Sequence, residues 1–307
     1  MDYILRTFDL CKKYKKQFAV DHANMNIERG EIYGFVGENG SGKTTIIRLI
    51  SGLIFPHSGS FELFGVANTD ERIHEARRKL GAIVESPSIY QNMSAKDNLK
   101  MQCTILGLKD ESVIPEVLAE VGLAELYTDK KHVSNFSLGM RQRLGIAMAL
   151  LGRPEFLILD EPMNGLDPAG IVEIRELILR LNRERGITFL ISSHILTELA
   201  LVATKYGIIS KGRILKEITA AQLHKECGKN TRILSDRPEL LWPALQGLLP
   251  VENVRYIPGG ITISGEIDLN AVLGALLKAS IRITAVNCTE SSFEDYYLSM
   301  IGGAKHD

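Results

Sequence analysis

The stretch Gly37-Glu38-Asn39-Gly40-Ser41-Gly42-Lys43-Thr44-Thr45 carries the densest chemistry in the chain. It follows an apolar run, Glu31–Val36, and opens a helix-periodic segment, Thr44–Ser51. Glycines at 37, 40 and 42 let successive backbone N–H groups turn inward around phosphate oxygens. A helix starting near Lys43 aims its positive dipole end at the same anion. Lys43 adds a mobile charge for terminal phosphates, and the Thr44 hydroxyl can ligate magnesium. The pattern Gly-x4-Gly-Lys-Thr, set between a strand and a helix, predicts a phosphate cradle rather than a plain Gly-rich turn.

A second polar group ends the apolar run Phe156–Leu159: Asp160 and Glu161. Ligands in open α/β sheets gather at the carboxyl ends of strands. Asp160 can hold magnesium, directly or through water, and Glu161 can polarise an attacking water as general base. Alone, such a pair is a common strand end with a solvated turn; the upstream phosphate loop changes that reading. Thr188–Ile191 likewise ends in Ser192-Ser193-His194. Ser137 and Gly139 open a helix and read as an N-cap with an exposed anion-binding terminus.

Strands and helices must bring these groups together. Tyr3–Phe8, Ala23–Ile27, Glu31–Val36 and Phe61–Phe64 read as strands. The run of lysines around Tyr14, Lys12–Lys16, reads as a solvated loop edge. Residues 94–152 read as mostly helical, opening on a capping-box-like Ser94–Asp97 and including helices near Ser112–Val121 and over Gly139–Leu151. Phe156–Leu159, Gly170–Arg185 and Thr188–Ile191 predict a strand–helix–strand unit with parallel strands. Tyr206–Ile209 and Arg213–Leu215 read as a hairpin. Beyond about residue 218 the pattern changes. Ala220–Asn230 reads as a polar connector. The order after it is strand Thr231–Leu234, helix Glu239–Leu248, strands Asn253–Ile257 and Ile261–Ser264, helix Leu269–Ala279 and strand Ile281–Val286. That is βαββαβ, a ferredoxin-like order. Ser291–Ile301 reads as a closing helix. The expected division is 1–218, with a helical part over about 88–152, and 219–307.

Composition narrows the function. The 307 residues are 45% hydrophobic and 24% charged, enough to bury a sizeable core. The 36 Lys and Arg against 37 Asp and Glu leave a net charge of −1, which argues against a basic nucleic-acid binder. The longest stretch without Asp, Glu, Lys or Arg runs only from Leu49 to Phe61, short of the roughly 20 apolar residues of a membrane span. No apolar leader follows Met1, so no signal peptide is expected. Cys11, Cys103, Cys227 and Cys288 are far apart, with no Cys-x-x-Cys pair. Their spacing predicts free thiols rather than a zinc site or a disulfide framework.

The segment Ser134–Arg143, upstream of Asp160, resembles the signature of the nucleotide-binding subunits of ABC transporters. Ser137 and Gly139 are kept; Leu138 replaces a glycine and Met140 a glutamine. The resemblance implies an α/β cassette with a mixed sheet core and a helical subdomain, hydrolysing ATP with Mg2+. It implies that His194 contacts the γ-phosphate, that Asp167 of Asn164–Pro168 lies in a loop crossing to a partner subunit, and that Tyr14, with Phe18 the alternative, stacks on adenine. Glu85 stands where the family carries a coupling glutamine near the metal. A carboxylate can accept from metal-bound water but cannot donate as an amide does.

Glu85–Tyr90, Phe136–Met140, Asn164–Pro168 and Ser292–Leu298 look like the subgroup serving lantibiotic-immunity and bacitracin-type exporters. That implies a head-to-tail, ATP-driven homodimer at the inner face of the cell membrane, with separate transmembrane permease subunits and no nucleic-acid partner. The alternatives are a soluble ABC-type ATPase acting on ribosomes or DNA, or a motor for an unrelated substrate. A single phosphate loop and the lack of long heptads argue against the former. A kinase or GTPase reading fits poorly with Ser137, Gly139 and His194.

Overall fold

Alternating burial along the N-terminal chain gives a long strand, β1 (Tyr3–Tyr14), with Leu5 and Leu10 inward and Phe8 and Tyr14 outward. It pairs antiparallel with β2 (Gln17–Ala23) and β3 (Asn26–Glu28). The lysine run is therefore not a loop edge. Lys12 and Lys13 lie in β1 opposite Val20 and Phe18, and only Lys15 and Lys16 form the turn. Cross-strand pairing, invisible in a local pattern, extends the strand past its apolar part. This computed structural model describes residues 2–227, 229–265, 267–290 and 293–303.

β4 (Ile32–Val36) is buried at every position and leads through the glycine-rich loop into α1 (Lys43–Ile50). Ile46, Ile47, Leu49 and Ile50 share a core with Tyr33, Phe35 and Phe61. Each such aliphatic side chain contributes about 1.5–3 kcal/mol on burial. β5 (Ser58–Leu63) and β6 (Val66–Ala67) extend the first sheet in the order β2-β1-β5-β6, with β3 also paired to β1.

Next come α2 (Ile73–Arg77), β7 (Leu80–Ile83) and a helical arm. The arm holds α3 (Ala95–Leu106), α4 (Val113–Glu120) and α5 (Leu138–Leu150). Ser94 caps α3 by accepting the Asp97 N–H at 3.1 Å, and Gly107 stops it in the left-handed region.

β8 (Phe156–Asp160), α6 (Pro168–Arg185), β9 (Thr188–Ser193), α7 (Leu196–Ala200), β10 (Lys205–Ser210) and β11 (Arg213–Thr219) complete the second sheet. Its order is β11-β10-β4-β9-β8-β7, parallel from β10 to β7 with β11 antiparallel at the edge. β8 and β9 are buried throughout, as central parallel strands must be. Because β9 lies between β4 and β8, the carboxyl ends of these three strands are neighbours. Those ends carry the phosphate loop, His194 and Glu161.

The chain divides after Ala220 into two compact units. The second contains α8 (Ala220–Glu226, its first residue in the other unit), β12 (Lys229–Ser235), α9 (Leu241–Leu245), β13 (Val254–Ile257), β14 (Gly260–Ser264), α10 (Leu269–Lys278), β15 (Ile283–Glu290) and α11 (Phe293–Gly303). Its antiparallel sheet runs β13-β14-β12-β15 over a core of Ile233, Leu241, Leu245, Ile261, Ile263 and Leu276. The stretch read as a connector holds α8 and the start of β12. α9 is shorter than its expected range because Pro238 opens a 3-10 turn before it and Gly247, at φ 91°, follows it. Of the expected closing helix, Ser291 and Ser292 lie outside the described residues. No described helix is long and apolar enough to cross a membrane.

Candidate active site

The loop from Gly37 to Gly42 is pressed between the β1–β2 hairpin and β10. A Cβ on Gly42, whose φ is 112°, would stand 2.5 Å from the Ala19 carbonyl oxygen. A Cβ on Gly37 would stand 2.5 Å from the Ile209 carbonyl oxygen and 2.6 Å from Ser41 Oγ. Glycine is thus required at both positions, and the backbone is free to face an anion. Glu38, Asn39 and Gly40 are exposed along the rim, while Thr45 is half-buried on α1. Ser41 Oγ is buried with no hydrogen-bond partner among the described residues. Such an orphan hydroxyl fits an oxyanion ligand.

Lys43 is only 5% exposed. Its Nζ donates to the carbonyls of Gly37 at 2.6 Å and Glu38 at 3.3 Å, and stands 3.5 Å from Glu161 Oε1. The ammonium is folded back onto its own loop, beside the general-base candidate. Thr44 Oγ1 donates to Asp160 Oδ2 at 2.9 Å. Hard oxygen donors facing each other in this way suit a magnesium ion, which Asp160 and Thr44 would hold.

Glu161 sits at φ 51°, a left-handed conformation costing a non-glycine residue about 1–3 kcal/mol. Two neighbours hold it there. Its N–H donates to Ser192 Oγ at 2.9 Å, and its Oε2 accepts from His194 Nδ1 at 2.8 Å. A carboxylate can only accept, so the proton lies on Nδ1 and leaves Nε2 for a second partner. The arrangement holds a carboxylate where it can take a proton from water, next to a cation that can meet a phosphate.

Ser192 is the residue that sequence reasoning missed. Its hydroxyl donates to Asp160 Oδ1 at 2.5 Å while accepting the Glu161 N–H, so one side chain aligns both acids. Only the β8–β9 register, which sets Asp160 opposite Ser192, reveals this. Its sole sequence signal is a hydroxyl two residues before His194. Ser192→Ala is expected to lower ATP turnover about 10-fold and raise the Mg2+ concentration needed for half-maximal rate. A magnesium titration of steady-state hydrolysis checks this; an unchanged midpoint would show that Ser192 does not align Asp160.

The other candidates are not drawn into this cluster. Ser137 Oγ accepts the Met140 N–H at 3.2 Å and caps α5, with Gly139 in its first turn. Asp167 Oδ1 accepts the Gly170 N–H at 3.0 Å and caps α6. Glu85, at φ 65°, pairs its carboxylate with the Arg48 guanidinium, one helical turn beyond Thr44. Among the described residues no hydrogen bond joins Glu85, Ser137, Gly139 or Asp167 to the Lys43–Asp160–Glu161–His194 group. Tyr14 is 46% and Phe18 40% exposed, each with a lysine ammonium near its ring, at 5.5 and 5.1 Å. Both rings are presented by the hairpin that packs on Gly42, and the geometry retains both.

Phosphate loop, acidic end of β8, polar end of β9 and helical arm together define an ATP-binding cassette. A family model described as ABC transporter matches residues 20–164. The bacitracin transport ATP-binding protein BcrA of Bacillus licheniformis is 44% identical over 99% of both chains. The chain belongs to the ABC transporter family, as an ATP-binding subunit that hydrolyses ATP to drive transport. The lantibiotic transport ATP-binding protein SrtF of Streptococcus pyogenes is 44% identical over 70% of this chain and 90% of its own. Among solved structures, cbiO1 of Clostridium perfringens, part of the transporter complex cbiONQ, aligns at TM-score 0.65 and 27% identity over 81% of this chain and 96% of its own. A dimeric cassette bound to ADP and Pi aligns at TM-score 0.63 and 23% identity, covering 70% and 98%, and shares the fold.

Proposed function

We propose that the chain is the motor of an exporter that moves, or confers resistance to, peptide antibiotics of the bacitracin or lantibiotic type. The end-to-end similarity to BcrA carries this reading, because it includes the segment after residue 220 as well as the cassette. Residues 37–45 and Tyr14 bind ATP, and Lys43 meets the terminal phosphates. Thr44 and Asp160 would hold Mg2+, with Glu85 contributing through water, and the ion would supply positive charge against that developing on the phosphoryl oxygens. Glu161 takes the proton of the attacking water, and His194, bonded to Glu161 through Nδ1, contacts the γ-phosphate. Two chains pair head to tail, so that Ser137, Gly139 and Asp167 of one complete the site of the other. Both Ser137 and Gly139 lie at a helix N-terminus, which suits an anion brought from outside the chain. Residues 1–218 form this cassette, and 219–307 an accessory domain. Co-expression with its permease subunits should raise tolerance to bacitracin or a lantibiotic. Unchanged susceptibility to both would refute the substrate class.

Separate permease subunits keep the chain at the inner membrane face. Their docking place is the groove between α3 and the loop after Glu85, lined by Pro87, Tyr90, Met101, Ile105 and Met148. Ile105 is 66% and Tyr90 52% exposed, an apolar patch that calls for a cover. Ile105→Glu should leave soluble ATPase activity within about twofold while co-purification with the permease falls at least about 10-fold. Retained co-purification would move the docking site elsewhere.

A further inference from the structure

We propose that Cys11, Asp21 and His22 form a binding site for one thiophilic divalent cation of the zinc class, outside the nucleotide site. One ligand atom from each of the three side chains lies within 4.8 Å of the others. The backbone explains how residues of β1 and β2 achieve this. Leu10 pairs with Ala23 and Lys12 with Val20, with a register shift between them. In that interval Cys11 alone faces the two residues Asp21 and His22. In a regular strand, adjacent side chains point to opposite faces; an extra residue on one strand re-aims one of them. His22 accordingly takes φ 51°, a strained conformation for a non-glycine residue, and ligand clamps are where such strain collects.

The donors are already held. Cys11 Sγ accepts the His22 N–H at 3.2 Å and donates to the Asp9 carbonyl at 3.4 Å, so its place is fixed from two sides. His22 Nδ1 lies 2.7 Å from Asp21 Oδ1, and Arg213 Nε donates to Asp21 Oδ2 at 2.6 Å. The Arg213 contact is an outer hydrogen bond of the kind that orients metal ligands. Thiolate and imidazole select zinc-class ions over magnesium, and three protein ligands leave a fourth, solvent position. The Cys11 side chain is buried, whereas His22 is 65% exposed and provides the entry path. On binding, the thiol proton passes to solvent and a neutral imidazole nitrogen takes the ion. The occupied site would pin the hairpin that carries Tyr14. It would also reach the phosphate loop, since the Asp21 N–H donates to the Gly212 carbonyl at 2.9 Å and the Gly212 N–H to that of Ser41 at 2.8 Å.

The test titrates the chelator-treated full chain with Co2+, in excess Mg2+ and without nucleotide, then competes with Zn2+. One Co2+ per chain should bind with a thiolate-to-cobalt charge-transfer band that Zn2+ bleaches. Cys11→Ser should abolish the band, and Cys288→Ser should keep it. His22→Asn should weaken binding at least about 10-fold; the His22 side chain is exposed and asparagine tolerates a left-handed backbone, so the fold is retained. Binding without a thiolate band, a band surviving Cys11→Ser, or near-normal affinity in His22→Asn would each overturn the assignment.

Discussion

Glu161→Gln is expected to give a chain that binds ATP and pairs with a second copy, yet turns over at least about 100-fold more slowly. Positioned general bases contribute about 10²–10⁴ in rate. Glutamine matches glutamate in size, suffers the same strain at φ 51°, and keeps an oxygen to accept from His194 Nδ1, 2.8 Å away. What it loses is the basic oxygen that receives the water proton. It also removes a negative charge 3.5 Å from Lys43 Nζ, close to where a terminal phosphate would meet that ammonium. Electrostatic repulsion there falls, so ATP affinity should hold or rise. Steady-state hydrolysis and an ATP-binding titration separate the two effects. Turnover within about threefold of the parent chain would place the base elsewhere; lost ATP affinity would make Glu161 a structural residue.

Lys43→Ala should act at the other step, lowering kcat/KM by at least about 100-fold, much of it through ATP binding. The Lys43 ammonium is buried and borrows the Gly37 and Glu38 carbonyls as its partners. Phosphate oxygens can replace these weak neutral acceptors with a charged partner, a large gain for one cation in a sheltered loop. Lys43→Arg should not rescue, because a planar fork cannot occupy the space of a compact ammonium between two carbonyls. Binding of a fluorescent ATP analogue reads the loss directly. Preserved affinity in Lys43→Ala would mean that backbone N–H groups and the helix terminus hold the phosphates unaided.

The two substitutions also mark how far the sequence can be read. Lys43 announces itself, since glycines, lysine and threonine at fixed spacing on one loop are covalent neighbours. The caps Ser94 and Ser137 are equally local, each bonding an N–H three residues on. The apolar runs of β4, β8 and β9 are legible for the same reason. Length misled where local pattern stopped: β1 continues through Lys12 and Lys13 because β2 supplies partners, and α9 is cut short between Pro238 and Gly247.

Local chemistry was thus determined by the sequence alone: a phosphate loop, an acidic strand end, a strand end of Ser-Ser-His and a capped helix, together with the family they resemble. Tertiary structure decided which of these meet. The strand order β4-β9-β8 sets Lys43, Glu161 and His194 side by side, and the β8–β9 register makes Ser192 the support of both acids. It paired Glu85 with Arg48. It also gathered Cys11, Asp21 and His22, whose spacing predicted no metal site at all. The physical reason is common to these cases. Spacing along the chain reports what one loop or one helical turn can do. Strand register and β-bulges are fixed by the burial of distant apolar side chains, and a one-residue shift redirects every side chain that follows.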